Sequence, residues 1–313
     1  MDARTPAFAT SPDGQIPTYY GRPAVKPSLY GWIVAEYIYV GGLAAGVQIA
    51  VTVAQLLSIP GADYVSWIGR AIALGGAILG GILLIVDLHT PQRFYNMLRI
   101  FRPTSPMSIG TYTLMGFGFF SLVAFIVQCF DLQFVAMVLG CFAGAIGWWM
   151  TTYTAALQGA TATPLWAATP KLLAERYAAS AMATGAAAAC LIALGVAPGP
   201  RMVVAFGDLA AAALLIEMIA STGSFLIWAR IGIAGPLIEP PWGPVYIGGV
   251  QVLGVLVPFG LYVAANFFGP AIWFALPASA LVLIGGLLMR GAIMLAGNES
   301  ARRPRDYFRL SQP

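Results

Sequence analysis

The sequence contains few of the residues on which water-soluble proteins and metalloproteins depend. Only 9% of its 313 residues are charged, and it has one histidine and three cysteines. A soluble domain carries about 25% charged residues, so this chain lacks the charge needed to cover a surface that faces water. Because 59% of the residues are hydrophobic, the shortage predicts an integral membrane protein.

The scarcity of histidine and cysteine also excludes the common protein-bound redox centres. His89 alone cannot supply both axial ligands of a bis-histidine haem, which leaves only Met–His ligation open. The three cysteines lie singly in apolar runs without a CxxC spacing, so they predict small buried residues rather than an iron–sulfur cluster. We therefore expect no haem or cluster within this chain. Electron transfer would require a diffusible lipid carrier and a partner that carries a cluster.

What the sequence does contain is a series of long apolar segments. They are continuous and rich in Ala, Leu and Gly, whereas the strands of a membrane barrel would alternate in polarity. Each has roughly 20 residues or more, which is enough for a helix to cross a hydrocarbon core of about 30 Å. The sequence predicts an all-α membrane protein with eight transmembrane helices. Their expected bounds are Gly31–Ile59, Tyr64–Leu88, Met107–Phe130, Phe134–Leu157, Ala178–Val196, Met202–Arg230, Gly243–Phe267 and Ala271–Ala296.

These segments divide the chain into five regions. Residues 1–30 are rich in proline and predict an extended arm. Residues 31–157 hold the first four spans, and residues 178–297 hold the other four. Between them, residues 158–177 predict an interfacial segment with a short amphipathic helix near its end. Residues 298–313 predict a basic tail.

The distribution of charge predicts the orientation. An even number of spans places both termini on one side, which also receives nearly all the Lys and Arg residues. By the positive-inside rule this side is cytoplasmic, and the net charge of +4 needs no nucleic-acid partner. A face that docks a soluble protein is basic for another reason, which the sequence leaves open. Tryptophans near the predicted span ends, including Trp166 and Trp228, are typical of an interfacial belt.

Polar chemistry is concentrated in and around the loop that begins at Asp87, which contains His89. Burying an ionisable group in a bilayer costs about 2.5–3.5 kcal/mol, so each such group in a span is a functional candidate. Near the loop side lie Glu36, Asp87, Tyr153 and Arg290, while Glu217 is near mid-membrane and Asp208 is toward the opposite face. A structural ion pair between Arg290 and Glu217, or an Arg290 that reaches the headgroups, is the alternative interpretation.

Phenol, imidazole and carboxylate groups at one leaflet suit a quinone. Its ring needs hydrogen-bond donors at two carbonyls and a route for protons. We predict a quinone site at Asp87, His89 and Tyr153. We also predict a proton relay, whose residues are Glu36, Asp87, Glu217 and Asp208.

Four stretches of the sequence resemble the NrfD-like family of polysulfide-reductase membrane subunits. They are GWIVAEYIYVGGLAAG (31–46), DLHTPQRFYNMLRIFRPTSPMSIG (87–110), YTAALQGATATPLW (153–166) and GGLLMRGAIMLAG (285–297). The resemblance implies two four-helix bundles and a menaquinone or ubiquinone site at the face that docks a ferredoxin-like iron–sulfur subunit. It also implies a molybdopterin-type catalytic subunit beyond that partner, and a bacterial inner-membrane location.

The resemblance further implies roles for particular residues. Tyr37 and Glu36 fall where polar groups of the first span line the pocket, and Tyr153 matches a tyrosine near the quinone ring. The loop residues predicted for partner docking or loop structure are Arg93, Arg99, Arg102, Ser105 and Ser108.

Two functions of different classes are therefore open. The first is a quinone- or quinol-reactive membrane subunit that exchanges electrons with an iron–sulfur partner. The alternative is a proton-conducting or transport subunit with a transmembrane relay through Glu217. A purely structural anchor is a third interpretation, and it predicts that replacing Tyr153 or Asp87 leaves quinol oxidation unchanged.

Overall fold

The structure is a computed structural model that describes residues 30–88, 91–196 and 199–311. Every regular element in these residues is helical. Eight of the described helices are long and apolar enough to cross a membrane, which confirms the predicted fold class. They are α1 Trp32–Leu56, α2 Ala62–Asp87, α3 Pro106–Cys129, α4 Gln133–Gly159, α5 Pro170–Val196, α6 Pro200–Ile231, α7 Trp242–Ala265 and α8 Ile272–Arg302. Most of the predicted N-terminal arm lies outside the described residues.

Several helix ends follow local sequence signals. Gly61 joins α1 to α2 with a φ of 89°, a conformation that favours glycine. Pro106 is in the first turn of α3, where its missing N–H costs no helical hydrogen bond. Gly232 ends α6 with a φ of 80°, and its amide donates to the Trp228 carbonyl at 2.9 Å.

Two helices extend furthest beyond their predicted bounds. α5 begins at Pro170, so the separate amphipathic helix expected near Lys171–Tyr177 is the first part of a spanning helix. α8 continues to Arg302 rather than ending at Ala296. Its end is set by Pro304, because the residue before a proline disfavours the helical region, and Arg303 is accordingly extended with φ −95° and ψ 105°.

Trp166 and Trp228 do not belong to an interfacial belt, so that prediction was wrong. Both are fully buried. The Trp166 indole donates to the Ile293 carbonyl, and the Trp228 indole donates to the Leu165 carbonyl, each at 2.9 Å. The short helix Pro164–Ala167 thus lies inside the protein. Nearness to a span end predicts the depth of a tryptophan but not the direction of its side chain.

α1 is the central helix of the protein, and it contacts α2, α4, α5 and α8. Helices α1–α4 contact one another, as do α5–α8, which is compatible with two four-helix bundles. The interface between α1 and α5 is closest at two glycines. A Cβ on Gly46 would lie 1.9 Å from the Ala181 carbonyl oxygen, and one on Gly185 would lie 2.0 Å from the Gly46 carbonyl carbon. Only glycine allows the two backbones to approach this closely.

A buried polar network holds α1, α2 and α3 together at the end away from the Asp87 loop. Arg70 is fully buried and donates to Gln128 Oε1 at 2.5 Å and to Gln55 Oε1 at 2.6 Å. The Gln55 amide donates in turn to Asp63 Oδ1 at 2.9 Å. A buried charge is tolerated when such bonds compensate it, so Arg70 is part of the interior and adds little to the surface charge of that side.

The tail forms a short helix, Pro304–Ser311, that docks on the loop after α6. The Arg309 guanidinium donates to the Gly232 carbonyl, and Arg303 forms an ion pair with Glu239 at 3.0 Å. Asp306 is buried in the same contact. Burial raises the pKa of the Asp306 carboxyl above its ordinary value of 3.8, although Arg303 and Arg309 act in the opposite direction.

Docking of this helix is expected to weaken as the pH rises. Because the pKa of Asp306 is raised in the folded state, its contribution is complete below about 3.8 and is lost as the pH passes the folded pKa. We expect Asp306→Asn to slow amide hydrogen exchange of residues 304–311 at neutral pH, after correction for intrinsic exchange rates. Faster exchange in this variant would show instead that the ionised carboxylate holds the helix through its arginines.

Candidate functional site

The loop-side ends of the first four helices surround a narrow cavity of about 20 Å³. α1 and α3 begin at this end, and α2 and α4 finish there. Most of the lining is apolar, with two phenols among the exceptions. Residues that line it include Tyr37, Gly42, Leu84, Leu114, Met150 and Tyr153. A mostly apolar cavity with a few convergent polar groups is typical of a small-molecule site.

The two phenols form the polar centre of this cavity. Tyr37, on α1, and Tyr153, on α4, both line the cavity, and their phenols are within electrostatic reach of each other. Tyr37 is buried, whereas part of Tyr153 reaches the outside of the helix bundle. A phenol both donates and accepts hydrogen bonds, so the pair can bind a carbonyl oxygen and hold a proton.

The Ser-Pro-Met-Ser-Ile-Gly motif positions the Tyr153 ring. A Cβ on Gly110 would lie 2.2 Å from Cε2 of Tyr153, so α3 crosses the ring where the motif has glycine. The Arg102 amide donates to Ser108 Oγ at 3.0 Å and fixes the turn before α3. The motif therefore brings the helix backbone against the tyrosine.

Tyr153 also faces a groove of about 240 Å³ on the outside of α3 and α4. Pro106, Ile109 and Trp149 line this groove with it, and the Trp149 side chain is 59% exposed. One aromatic ring thus lies between the inner cavity and a surface that the bilayer would cover. An apolar chain in the groove would reach the phenol pair from the lipid side.

Asp87, at the end of α2, adds a carboxylate to this end of the cavity. It is partly buried and within electrostatic reach of Tyr30 and Tyr37. Burial, and secondly the charge of Asp87, raises the pKa of the Tyr30 hydroxyl. The Tyr30 ring stacks on Trp166 at 6.0 Å. The structure therefore brings three predicted residues together, Tyr37, Asp87 and Tyr153, and adds Tyr30.

The remaining predicted relay residues do not meet at this place. Glu36 has an exposed side chain, and His89 lies outside the described residues. Asp208 is also exposed, and it accepts a hydrogen bond from Asn266 at 2.8 Å. Glu217 is buried in the same helix, but the nine-residue separation corresponds to about 13 Å along the axis.

The loop beside the cavity presents positive charge. It contains two short helices, Pro91–Arg93 and Phe94–Arg99, and Tyr112 Oη anchors it by donating to the Leu98 carbonyl at 2.7 Å. Arg99 and Arg102 are exposed. The predicted docking residues Arg102, Ser105 and Ser108 line one groove of about 220 Å³. Arg93 ends the first short helix, and its side chain is outside the described part of the chain.

Arg290 does not reach the headgroups, because it is 1% exposed. The alternative interpretation as a snorkelling arginine was therefore wrong. Glu217, at 3%, and Arg176, at 0%, are buried in the same region, and the carboxylate is within electrostatic reach of both guanidiniums. Arg290 Nη1 donates to the Gly286 carbonyl at 2.9 Å.

Sequence reasoning missed Tyr30, Gly42, Gly110 and Arg176. Tyr30 follows a proline-rich region in which no periodic pattern marks a buried face. Arg176 was counted with the interfacial segment. The two glycines lie in spanning helices, where glycine indicates close helix packing more often than the wall of a site.

The comparisons with known proteins agree with the resemblance found in the sequence. The family model described as "Polysulphide reductase, NrfD" matches residues 23–300, a range that includes α1–α7 and nearly all of α8. No curated protein matches the chain.

Proposed function

The chain belongs to the NrfD polysulphide reductase family, and on that premise we propose that it is a quinone- or quinol-reactive subunit of a membrane oxidoreductase complex. The observation that carries this proposal is the placement of two phenols, Tyr37 and Tyr153, in one mostly apolar cavity next to an exposed basic loop. Menaquinone or ubiquinone supplies two-electron, two-proton chemistry when bound there.

The residues present fit a quinone headgroup and its tail. Tyr153 borders both the narrow inner cavity, of about 20 Å³, and the outer groove, of about 240 Å³, so a ring in the groove would contact its phenol. Tyr37 and Tyr153 offer hydrogen bonds to the ring oxygens. The isoprenoid chain needs only an apolar surface, and the groove beside Trp149 and Ile109 offers one.

In this proposal, the two phenols and Asp87 transfer the protons that the quinone ring takes up or releases. Tyr153 Oη exchanges a proton with the ring oxygen, and the neighbouring Tyr37 phenol offers a second donor and acceptor in the same cavity. Asp87, partly exposed at the loop end, exchanges protons with water. His89 follows Asp87 by two residues and is proposed as a further acceptor at the surface.

The electrons would come from, or go to, a ferredoxin-like iron–sulfur subunit docked on the loop, with a molybdopterin-type catalytic subunit beyond it. Exposed Arg99 and Arg102 favour an acidic partner surface. The same basic side supports cytoplasmic termini in a bacterial inner membrane. Protease accessibility of the tail in sealed vesicles tests this orientation.

A photoreactive quinone is the most direct test of the site. We expect a short-chain azidoquinone, added to the purified complex in nanodiscs, to label peptides from α1 and α4, because Tyr37 and Tyr153 project into the cavity. An excess of the unmodified quinone should prevent the labelling. Protectable labelling confined to α6 and α7 would contradict the proposal.

The alternative of a proton-conducting or transport subunit has one observation in its favour, which is the burial of Glu217 between helices. It needs a continuous path from Glu217 toward the exposed Asp208, about 13 Å along α6. Proton flux through the quinone-free protein in liposomes, abolished by Glu217→Gln, would favour this function.

A further inference from the structure

We propose that Arg290 applies a positive electrostatic potential to the cavity through its wall at Gly42, so that the cavity prefers an anionic ring, and that Glu217 reduces this preference. This inference rests on the proposed function. Neither residue lines the cavity, so both act through the field rather than by contact.

The wall of the cavity is thin at Gly42. Gly42, on α1, lines the cavity. A Cβ at this position would lie 2.8 Å from Nη2 and 3.6 Å from Cζ of Arg290. The guanidinium of α8 therefore lies directly behind the glycine, and no side chain of residue 42 separates it from the cavity.

The guanidinium is also held in place. Its Nη1 donates to the Gly286 carbonyl at 2.9 Å and to Ser180 Oγ at 3.2 Å. Its Cζ lies over the rings of Tyr39, at 5.5 Å, and Tyr177, at 5.9 Å. An arginine fixed by hydrogen bonds and cation–π contacts keeps its charge and its direction.

The balance of charge behind the wall is positive. Two guanidiniums, of Arg290 and Arg176, face the single carboxyl of Glu217, so the balance is positive even with Glu217 ionised, and each residue is at most 3% exposed. The Arg176 guanidinium is also fixed, because its Nη1 donates to the Tyr246 hydroxyl at 2.9 Å. Asp87 contributes negative potential at the loop end, but it is partly exposed and is screened by water. Buried charges are screened much less, so the field of Arg290 extends into the cavity.

The consequence concerns the reduced ring. Accepting electrons gives the ring more negative charge until protons neutralise it. A cation behind Gly42 stabilises this state relative to the oxidised, neutral ring without providing a hydrogen bond. Arg290 would thus raise the reduction potential of the bound ring, and Glu217 would limit this increase.

Two naphthoquinones of similar size test this inference by binding alone. 2-Hydroxy-1,4-naphthoquinone is ionised at neutral pH, and 2-methyl-1,4-naphthoquinone is neutral. Unit charges about 10 Å apart at an effective dielectric constant of about 20 change an affinity by about tenfold. We expect Arg290→Gln to raise the Kd of the anion about tenfold and Glu217→Gln to lower it by a similar factor. The Kd of the neutral compound should stay nearly constant, and Arg290→Lys should restore most of the preference.

The opposite signs of the two variants separate an electrostatic role from a structural one. Parallel changes for both compounds, or no change in the affinity for the anion, would overturn the inference while leaving the proposed function intact. Failure of the wild-type protein to bind either compound would instead overturn the proposed function. Should Arg290→Gln not fold, Glu217→Gln decides alone, since it removes one charge while keeping the shape of the side chain.

Discussion

Tyr153→Phe is expected to slow electron transfer between the partner cluster and the quinone pool by about 10²-fold or more. The substitution removes the Tyr153 hydroxyl from the cavity and leaves the ring that fills the space beside Gly110. Loss of a positioned acid–base group typically costs about 10²–10⁴-fold in rate. Quinol-dependent reduction of the partner, measured by rapid mixing with the intact complex, gives this rate.

Tyr64→Phe is a suitable control for this variant. Tyr64 also lies in a spanning helix, but it is 72% exposed at the opposite end of α2. It should keep the wild-type rate. A wild-type rate for Tyr153→Phe would support the purely structural anchor, because in that case the phenol takes no part in turnover.

Gly185→Val is expected to prevent assembly of the native helix bundle or to destabilise it by at least about 3 kcal/mol. Even the first carbon of the new side chain would lie 2.0 Å from the Gly46 carbonyl carbon, which belongs to a backbone that cannot rotate away. α1 and α5 would have to separate, and α1 is the helix that contacts both groups of four. Unfolding in mixed detergent micelles measures the loss of stability.

Gly195→Val provides the matched control in the same helix. A Cβ at Gly195 meets no atom within 4 Å, so the substitution adds no overlap. Its stability should stay close to that of the wild type. Equal losses in the two variants would indicate that valine disfavours α5 itself and that the contact with Gly46 is unimportant.

The number and approximate bounds of the spanning helices were predictable because each is a continuous apolar run closed by a polar, proline or glycine signal. The rotation of each helix about its axis was not. Glu36 and Tyr37 are adjacent, and successive residues of a helix point about 100° apart, so one side chain is exposed and the other is buried. The sequence of α1 could not indicate which of the two side chains is exposed, because nearly all sides of this helix are apolar.

The site was predictable in part, and through the resemblance more than through hydropathy. Tyr37, Asp87 and Tyr153 come from three helices, and Tyr37 lies within electrostatic reach of the other two, while their roles stay predictions. The cluster of Arg176 and Arg290 was not foreseen, because a charged residue near a span end is equally compatible with the headgroup region and with the interior. Only the packing of α5 and α8 decides between them.

The location of the cavity at one end of the helices has a consequence for energy conservation. In the proposed function, electrons from a partner on the loop and protons through Asp87 reach the ring from the same face of the membrane. Turnover would then move no net charge across the bilayer. A complex built on this chain would generate membrane potential only through a second proton path or through another subunit.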